Sequence, residues 1–133
     1  MKRVLAFLMA VIILTSAFSL IIQAASLRNN HTLSTTTAFT ISDTGLATVY
    51  TSYYCYEDVM TEAVITFTLK KRTMLLFWTE VTTSKVVSTS PDLEHLFSYQ
   101  LEEKGTYKCE VEYVVYGTAG EADVIPFEDT ATY

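Results

Sequence analysis

The chain has 133 residues, half of them apolar, and a formal net charge of −6. This length suits one domain with a single modest core, preceded by a short additional segment. The negative charge opposes binding to nucleic acid and to anionic lipid surfaces, because both carry charge of the same sign.

The N-terminus has the pattern of a leader for export. Lys2 and Arg3 precede an uncharged apolar run over residues 4–22, and small residues follow from Ala24 onwards. We predict a helical signal peptide over residues 1–24, cleaved after Ala24, and therefore a secreted or cell-surface protein. The run is also long enough to remain as an uncleaved membrane anchor. In that alternative, the leader would be the only part of the chain that contacts a membrane.

The remainder of the chain is predicted to be all-β. Residues 25–38 are polar, and we predict a flexible lead-in there. From residue 39 onwards, apolar and polar side chains alternate, as in strands with one buried face. The predicted strands occupy residues 39–42, 46–56, 63–71, 73–83, 95–103, 106–116 and 123–133, with a further short strand possible over 85–88. Their spacing predicts an antiparallel two-sheet sandwich of immunoglobulin-like type over residues 39–133. Pro126 predicts that the last strand lies at a sheet edge.

The stretch "EKGTYKC", residues 103–109, resembles the tyrosine corner of immunoglobulin-like domains. In that corner a tyrosine two residues before a cysteine hydrogen-bonds through its hydroxyl to the preceding backbone. The resemblance implies a structural role for Tyr107, with Gly105 allowing the bend. Trp78, the chain's one tryptophan, is the second residue to which we assign a structural role, although it lies one strand later than the usual core tryptophan.

Cys55 and Cys109 both fall on the apolar faces of their strands, and export would permit a disulfide between them. Cys55 comes late in its strand, however, whereas Cys109 comes early in a strand predicted to run in the same direction. An offset of about six residues is about 20 Å along a strand, and a disulfide needs Cα atoms within about 7 Å. A shifted register would allow the bridge, and otherwise the two are buried, inert thiols.

A further resemblance involves the leader and four stretches, "ISDTGLATV", "AVITFTLKK", "FWTEV" and "EKGTYKCEVEYVVYG". Together they resemble small exported single-domain β-sandwich proteins of gut Firmicutes, a group with no assigned activity. The resemblance covers roughly residues 35–133 and implies a fold and a compartment, but no chemistry. This chain departs from the group at "KRTMLL", residues 71–76, where the group usually has a Gly/Ser-rich hairpin turn.

Few residues suggest catalysis or a cofactor. A secreted hydrolase would need a serine and a carboxylate placed against His95, and the sequence favours a histidine at a strand end instead. Two distant cysteines and one usable histidine do not supply the ligands of a zinc site. We therefore predict no enzyme activity, no metal and no cofactor.

Tyrosine, with nine residues, is the one residue type whose number suggests a functional surface. Alternation places Tyr50, Tyr54 and Tyr56 outward, and exposed tyrosines are favoured where proteins bind one another. These three residues are the candidate contact face, although tyrosine also suits strand surfaces in general. The sequence thus predicts an exported, non-catalytic binding or surface-structural module whose partner is a protein or cell-surface component, not nucleic acid. A membrane-anchored accessory protein is the main alternative, and a small hydrolase using His95 is the other.

Overall fold

The structure, a computed structural model, describes residues 30–133. The predicted signal peptide, its cleavage after Ala24 and the first part of the lead-in lie outside these residues. The described part contains seven strands: β1 (Thr32–Ile41), β2 (Leu46–Cys55), β3 (Met60–Thr73), β4 (Phe77–Ser88), β5 (Asp92–Gln100), β6 (Thr106–Gly117) and β7 (Asp123–Thr132). Among residues 30–133, no helix is long and apolar enough to cross a membrane.

The seven strands form two sheets that enclose one core. One sheet has three strands in the order β1-β2-β5, and the other has four in the order β4-β3-β6-β7. All neighbouring strands are antiparallel, so the prediction of an all-β, two-sheet antiparallel fold is confirmed. Pro126 lies in β7, an edge strand, where its missing N–H interrupts no ladder on the outer side.

The core is built from alternate residues of the central strands. On β3 the inward residues Ala63, Ile65, Phe67 and Leu69 are 1–2% exposed. They pack beside the inward residues of β6 and against those of β2 in the opposite sheet, which are Ala47, Val49, Thr51, Tyr53, Cys55, Tyr107, Cys109, Val111, Tyr113 and Val115. The two tyrosines deepest in this set keep their hydroxyls bonded, as buried polar groups require. Tyr53 donates to the Ser90 carbonyl oxygen over 2.8 Å, and Tyr113 shares a 2.5 Å hydrogen bond with the Thr37 hydroxyl.

Two strands differ most from their predicted positions, and β3 and β5 each begin three residues earlier than predicted. β1 begins at Thr32 rather than at Phe39, so the predicted lead-in is wrong over residues 32–38. Those residues lack apolar alternation, but threonine suits a pleated surface, and the Thr37 hydroxyl bonds to that of the buried Tyr113. β4 is one strand from Phe77 to Ser88 in place of predicted strands over 73–83 and 85–88. The apolar residues 74–76 form a turn instead.

The tyrosine corner is present as a local structure. Tyr107 is 2% exposed, and its hydroxyl donates to the Glu103 carbonyl oxygen over 2.6 Å. Gly105, between them, has φ +153°, a backbone angle that side-chain-bearing residues rarely adopt. The corner therefore fixes how the chain enters β6. Trp78 has no place in the core, and its ring lies on the outer face of the four-stranded sheet.

The start of the described chain is fastened to β7 by one carboxylate. Asp123 is buried and accepts hydrogen bonds from the backbone N–H groups of Asn30, His31 and Thr32, at 2.6, 2.8 and 2.8 Å. Burial alone would raise the pKa of Asp123, but these donors outweigh it and hold the pKa below its ordinary value. We call this arrangement the Asp123 clamp.

The imidazole of His31 completes the clamp. Its Nε2 donates to the Glu121 carbonyl oxygen over 3.0 Å, and its ring lies against Gly117. A Cβ on Gly117 would come 2.2 Å from His31 Nδ1, so only glycine leaves room for the ring. The clamp thus marks the end of the sandwich where β2 and β6 both finish.

The two cysteines are free, so the disulfide considered from the sequence is absent. The Tyr56 N–H bonds to the His31 carbonyl, which places Cys55 at the clamp end of the sandwich. Cys109 lies eight residues before Gly117 on β6, about 26 Å from that end along the strand. The pairings of β2 with β5 and of β6 with β7 have no register shift that would shorten this offset.

We expect both thiols to be present and unreactive in the folded protein. Burial raises the pKa of the Cys109 thiol to about 12 and also raises the pKa of Cys55, so the reactive thiolates are scarce at neutral pH. Intact-mass measurement after alkylation in denaturant should show two added groups without prior reduction. Native alkylation should be far slower. A product that needs a reductant before it accepts two groups would contradict this prediction.

Candidate functional site

The β3–β4 hairpin projects beyond the rest of its sheet. The pairing of β3 with β6 ends at Lys71 and Tyr107, whereas its pairing with β4 continues to Thr73 and Phe77. The last part of the hairpin is therefore a two-stranded ribbon with no third strand beside it. It leaves the domain at the end opposite the Asp123 clamp, because β3 starts beside Gly117 and runs away from it.

The end of this ribbon is apolar and open to solvent. Met74, Leu75, Leu76 and Phe77 are 84%, 87%, 84% and 64% exposed, and they are the most exposed large apolar residues in the described part of the chain. We call these four residues the apolar tip. Single exposed apolar residues are ordinary, but a contiguous cluster marks an interaction site. Folding of the isolated domain gains nothing from leaving these side chains in water.

The turn that presents the tip is strained. Met74 has φ 61°, the left-handed conformation, and it is the one non-glycine residue in the described chain with a positive φ. Such a conformation costs an ordinary residue about 1–2 kcal/mol, and hairpin turns normally place Gly, Asn or Asp there. The chain therefore keeps an apolar side chain at a position where a polar residue or glycine would fold better.

The strain predicts opposite effects for two substitutions at one position. Met74→Asn should stabilise the domain by about 1 kcal/mol, because asparagine tolerates the left-handed conformation. Met74→Val should destabilise it, since a β-branched residue is the least compatible with positive φ. Thermal unfolding of the two variants beside the wild type measures both. A shift of about 4 °C upwards for asparagine is expected for a domain of this size, and equal melting temperatures would show that the turn is relaxed.

An aromatic and cationic layer lies directly behind the tip. Arg72 and Trp78 face one another across the ribbon, with the guanidinium carbon 5.0 Å from the indole centroid. The ammonium of Lys108, on β6, lies 5.1 Å from the same ring. These are cation–π distances. Trp78, half-buried between two cations, thus forms the base of the ribbon.

Behind this layer, the lysines are neutralised by neighbouring carboxylates. Glu110 contacts Lys70 at 2.5 Å and Lys108 at 2.8 Å, and Lys71 pairs with Glu103. Burial alone would raise the pKa of Glu110, but the two ammonium groups hold it below its ordinary value. Five of the six Lys and Arg residues within residues 30–133 lie at this end, the remaining one being Lys85. Most of their charge is balanced locally.

The tyrosines predicted as a contact face differ in exposure. Tyr50 and Tyr54 share the outer face of β2, where Tyr50 is half-buried between Ala38 and Leu96. Tyr54 is 52% exposed. Tyr56 lies beyond the strand end, in the turn that leads to β3. Tyr56 is 47% exposed, so each of the three tyrosines is less exposed than any residue of the apolar tip, and the contact face stays a prediction.

The histidine considered for hydrolysis is a packing residue. The His95 ring lies 5.6 Å from the Phe67 ring, against the core. Within residues 30–133, no hydrogen bond joins this ring to a serine hydroxyl or to a carboxylate. The same residues contain no group of three or more His, Cys, Asp or Glu side chains placed to hold a metal ion.

The apolar tip overlaps a stretch that the sequence singles out for another reason. "KRTMLL" replaces a Gly/Ser-rich turn of the group that the chain resembles, and the sequence predicts a strand over residues 73–83 that includes its apolar residues. The available signal is that three basic residues, Lys70 to Arg72, and a threonine precede the run, so the strand alternation of β3 breaks before Met74.

Comparisons of the chain with protein-family models, with curated proteins and with solved structures find no match.

Proposed function

We propose that this chain is an exported, non-catalytic binding module that contacts a protein or cell-surface component through the apolar tip. The observation that carries the proposal is the 64–87% exposure of four contiguous apolar side chains on a ribbon that projects from the sheet. The strained turn at Met74 supports it, because strain retained at an exposed position is typical of functional segments.

The fold supports a module of immunoglobulin-like type. Lettered A, B, C, C′, E, F and G in chain order, the strands give sheets A-B-E and C′-C-F-G, an arrangement that matches sandwiches of this class. The tyrosine corner at Tyr107 also supports this type. Such domains commonly bind through the loops at the ends of the sandwich, and the apolar tip is one of these loops.

Export rests on the leader pattern of residues 1–24. The intact mass of the protein recovered from outside the cytoplasm distinguishes the two forms of the proposal. A product beginning at Ala25 or Ser26 indicates a cleaved signal peptide and a free module. A product that retains Met1 indicates the membrane-anchored alternative, in which the apolar run over residues 4–22 holds the module at the membrane.

The contact site is tested by comparing capture of surface components with variants of two regions. The full exported protein, labelled, is incubated with intact cells and secreted material from its own environment. Leu75→Ser with Leu76→Ser should reduce the bound fraction at least about tenfold, because two large apolar side chains lose their burial. The matched control, Leu96→Ser, changes a 60% exposed leucine on the other sheet and should bind as wild type does.

The triple variant Tyr50→Ser, Tyr54→Ser, Tyr56→Ser examines the face predicted from the sequence. We expect this variant to retain binding if it remains folded by circular dichroism. Equal binding of the wild type and the tip variant would exclude the apolar tip as the contact site, and loss of binding in the tyrosine variant alone would assign the contact to β2.

A further inference from the structure

We infer that the partner of the apolar tip is the interfacial region of a lipid bilayer with zwitterionic headgroups. The inference rests on the proposed function, since it takes the tip to be the contact site. It is carried by the order of side chains along the ribbon, by the depth of the tip and by the local charge balance.

The order of side chains along the ribbon matches the order of layers in a membrane surface. The outermost residues, 74–77, are apolar throughout. Arg72 and Trp78 follow at the next paired position, and the ion-paired Lys70 and Lys71 lie behind them. Membranes present hydrocarbon, then an interface where tryptophan is enriched and arginine can extend to the headgroups, and then water. Each part of the ribbon would thus lie in the membrane layer that solvates its side chains best.

The depth of the tip agrees with interfacial insertion. Beyond the Arg72 and Trp78 pair, the ribbon contains one more paired position, Thr73 with Phe77, and then the turn. At a rise of about 3.3 Å per residue, the tip reaches roughly 7 Å past the tryptophan. Apolar elements of peripheral proteins enter about 5–10 Å into the boundary between headgroups and acyl chains. The tip is long enough to enter this boundary and too short to cross the bilayer.

The charge near the tip favours zwitterionic over anionic lipid. Three of the five cations at this end, Lys70, Lys71 and Lys108, are paired with carboxylates at short range, so only Arg72 and Lys104 can attract anionic headgroups without giving up an ion pair. The acidic balance of the whole chain adds repulsion from an anionic surface. A membrane contact by the domain itself was not expected from the sequence, because net charge does not show where apolar side chains are exposed.

Two grooves formed by residues 30–133 are poorly suited to hold a second copy of the tip. An open groove of about 480 Å³ on the four-stranded sheet is lined by the carboxylates of Glu110, Glu112 and Glu128. A smaller groove of about 130 Å³ contains the Lys71 and Glu103 ion pair. Burying leucine and phenylalanine side chains against charged groups would leave those groups desolvated. A bilayer, which adapts to a convex apolar tip, makes no such demand.

Trp78 is the chain's one tryptophan and provides a reporter at the base of the tip. The full chain is mixed with phosphatidylcholine vesicles, and Trp78 fluorescence is recorded. We expect a blue shift of the emission and stronger quenching by phosphatidylcholine brominated near the headgroup than by lipid brominated near the chain end. Because the leader contains no tryptophan, vesicle binding by the leader alone would leave the depth-dependent quenching absent.

The variant Leu75→Ser with Leu76→Ser should weaken the lipid-dependent quenching at least about tenfold in lipid concentration. Leu96→Ser, on the other sheet, should leave the titration unchanged. Binding should persist at high salt, since paired charges contribute little to it. A strict requirement for anionic lipid, removed by salt, would overturn the assignment to zwitterionic membranes.

The result also separates this inference from the function on which it rests. Unchanged Trp78 emission in the presence of vesicles overturns the lipid assignment. If the tip variant has nevertheless lost binding to cells, the tip is a protein-binding site and the proposed function stands. If the wild type sediments as an oligomer without lipid and the tip variant as a monomer, the partner is a second copy. If the tip variant keeps both its binding to cells and its lipid-dependent quenching, both proposals are overturned.

Discussion

Replacing Phe67 with alanine is expected to lower the free energy of unfolding by about 3–5 kcal/mol, the range for removing a buried aromatic ring. Phe67 is 1% exposed at the centre of β3. Its ring stacks on Phe97 of the opposite sheet, with centroids 5.4 Å apart and an interplanar angle of 10°. The loss combines a cavity in the core with a missing contact between the two sheets. Chemical denaturation monitored by circular dichroism measures the effect.

The control for this prediction is Leu96→Ala on β5, beside Phe97. Leu96 is 60% exposed on the outer face of its sheet, so its truncation should change stability by less than about 0.5 kcal/mol. If both variants were destabilised equally, the inward and outward faces of the strands would be assigned incorrectly. That result would also contradict the alternation on which the fold was predicted from the sequence.

Alternation identified most of the fold because the central strands separate their faces clearly. In β3 and β6, every second residue is buried and the residues between are polar or half-exposed. The period of two fixes the face of each side chain and therefore the register. Turn residues such as Gly45 and Gly105 fixed the ends of two strands. The pairing of strands into sheets of three and four was beyond what one sequence specifies, because pairing depends on contacts distant along the chain.

The candidate site was harder to predict because it departs from the same pattern. Composition alone makes an apolar run such as residues 73–78 a buried strand, and only the three-dimensional structure shows that the rest of residues 30–133 leaves the tip uncovered. Similarly, the threonines of β1 alternate inward and outward without a change in polarity, so the strand gave no period to detect. In both segments the hydropathy of the side chains does not match their burial, and this mismatch made the prediction from the sequence wrong. One of the two is the segment to which we assign function.

Replacing Asp123 with asparagine is expected to destabilise the domain by about 2–4 kcal/mol at neutral pH. The carboxylate accepts three backbone N–H groups at the start of the described chain. Hydrogen bonds to a charged acceptor contribute about 1.5–3 kcal/mol each, and leaving a buried donor unsatisfied costs a similar amount. Asparagine preserves the shape but removes the charge and points an amide donor at other donors. The control Glu121→Gln alters a neighbouring exposed carboxylate and should change stability by less than about 0.5 kcal/mol.

The pH dependence distinguishes the clamp from a general effect of charge. The pKa of Asp123 is lower in the folded state than its ordinary value of 3.8, so the unfolded state binds a proton first as the pH falls. The stabilisation by the clamp is therefore complete above about pH 4 to 5 and is lost as the pH falls through the folded-state pKa. The wild type should lose stability over this range relative to the Asp123→Asn variant, and the two unfolding curves should converge in acid. Parallel curves would mean that the pKa of Asp123 is the same in the folded and unfolded states, so that the three N–H groups do not favour the charged carboxylate.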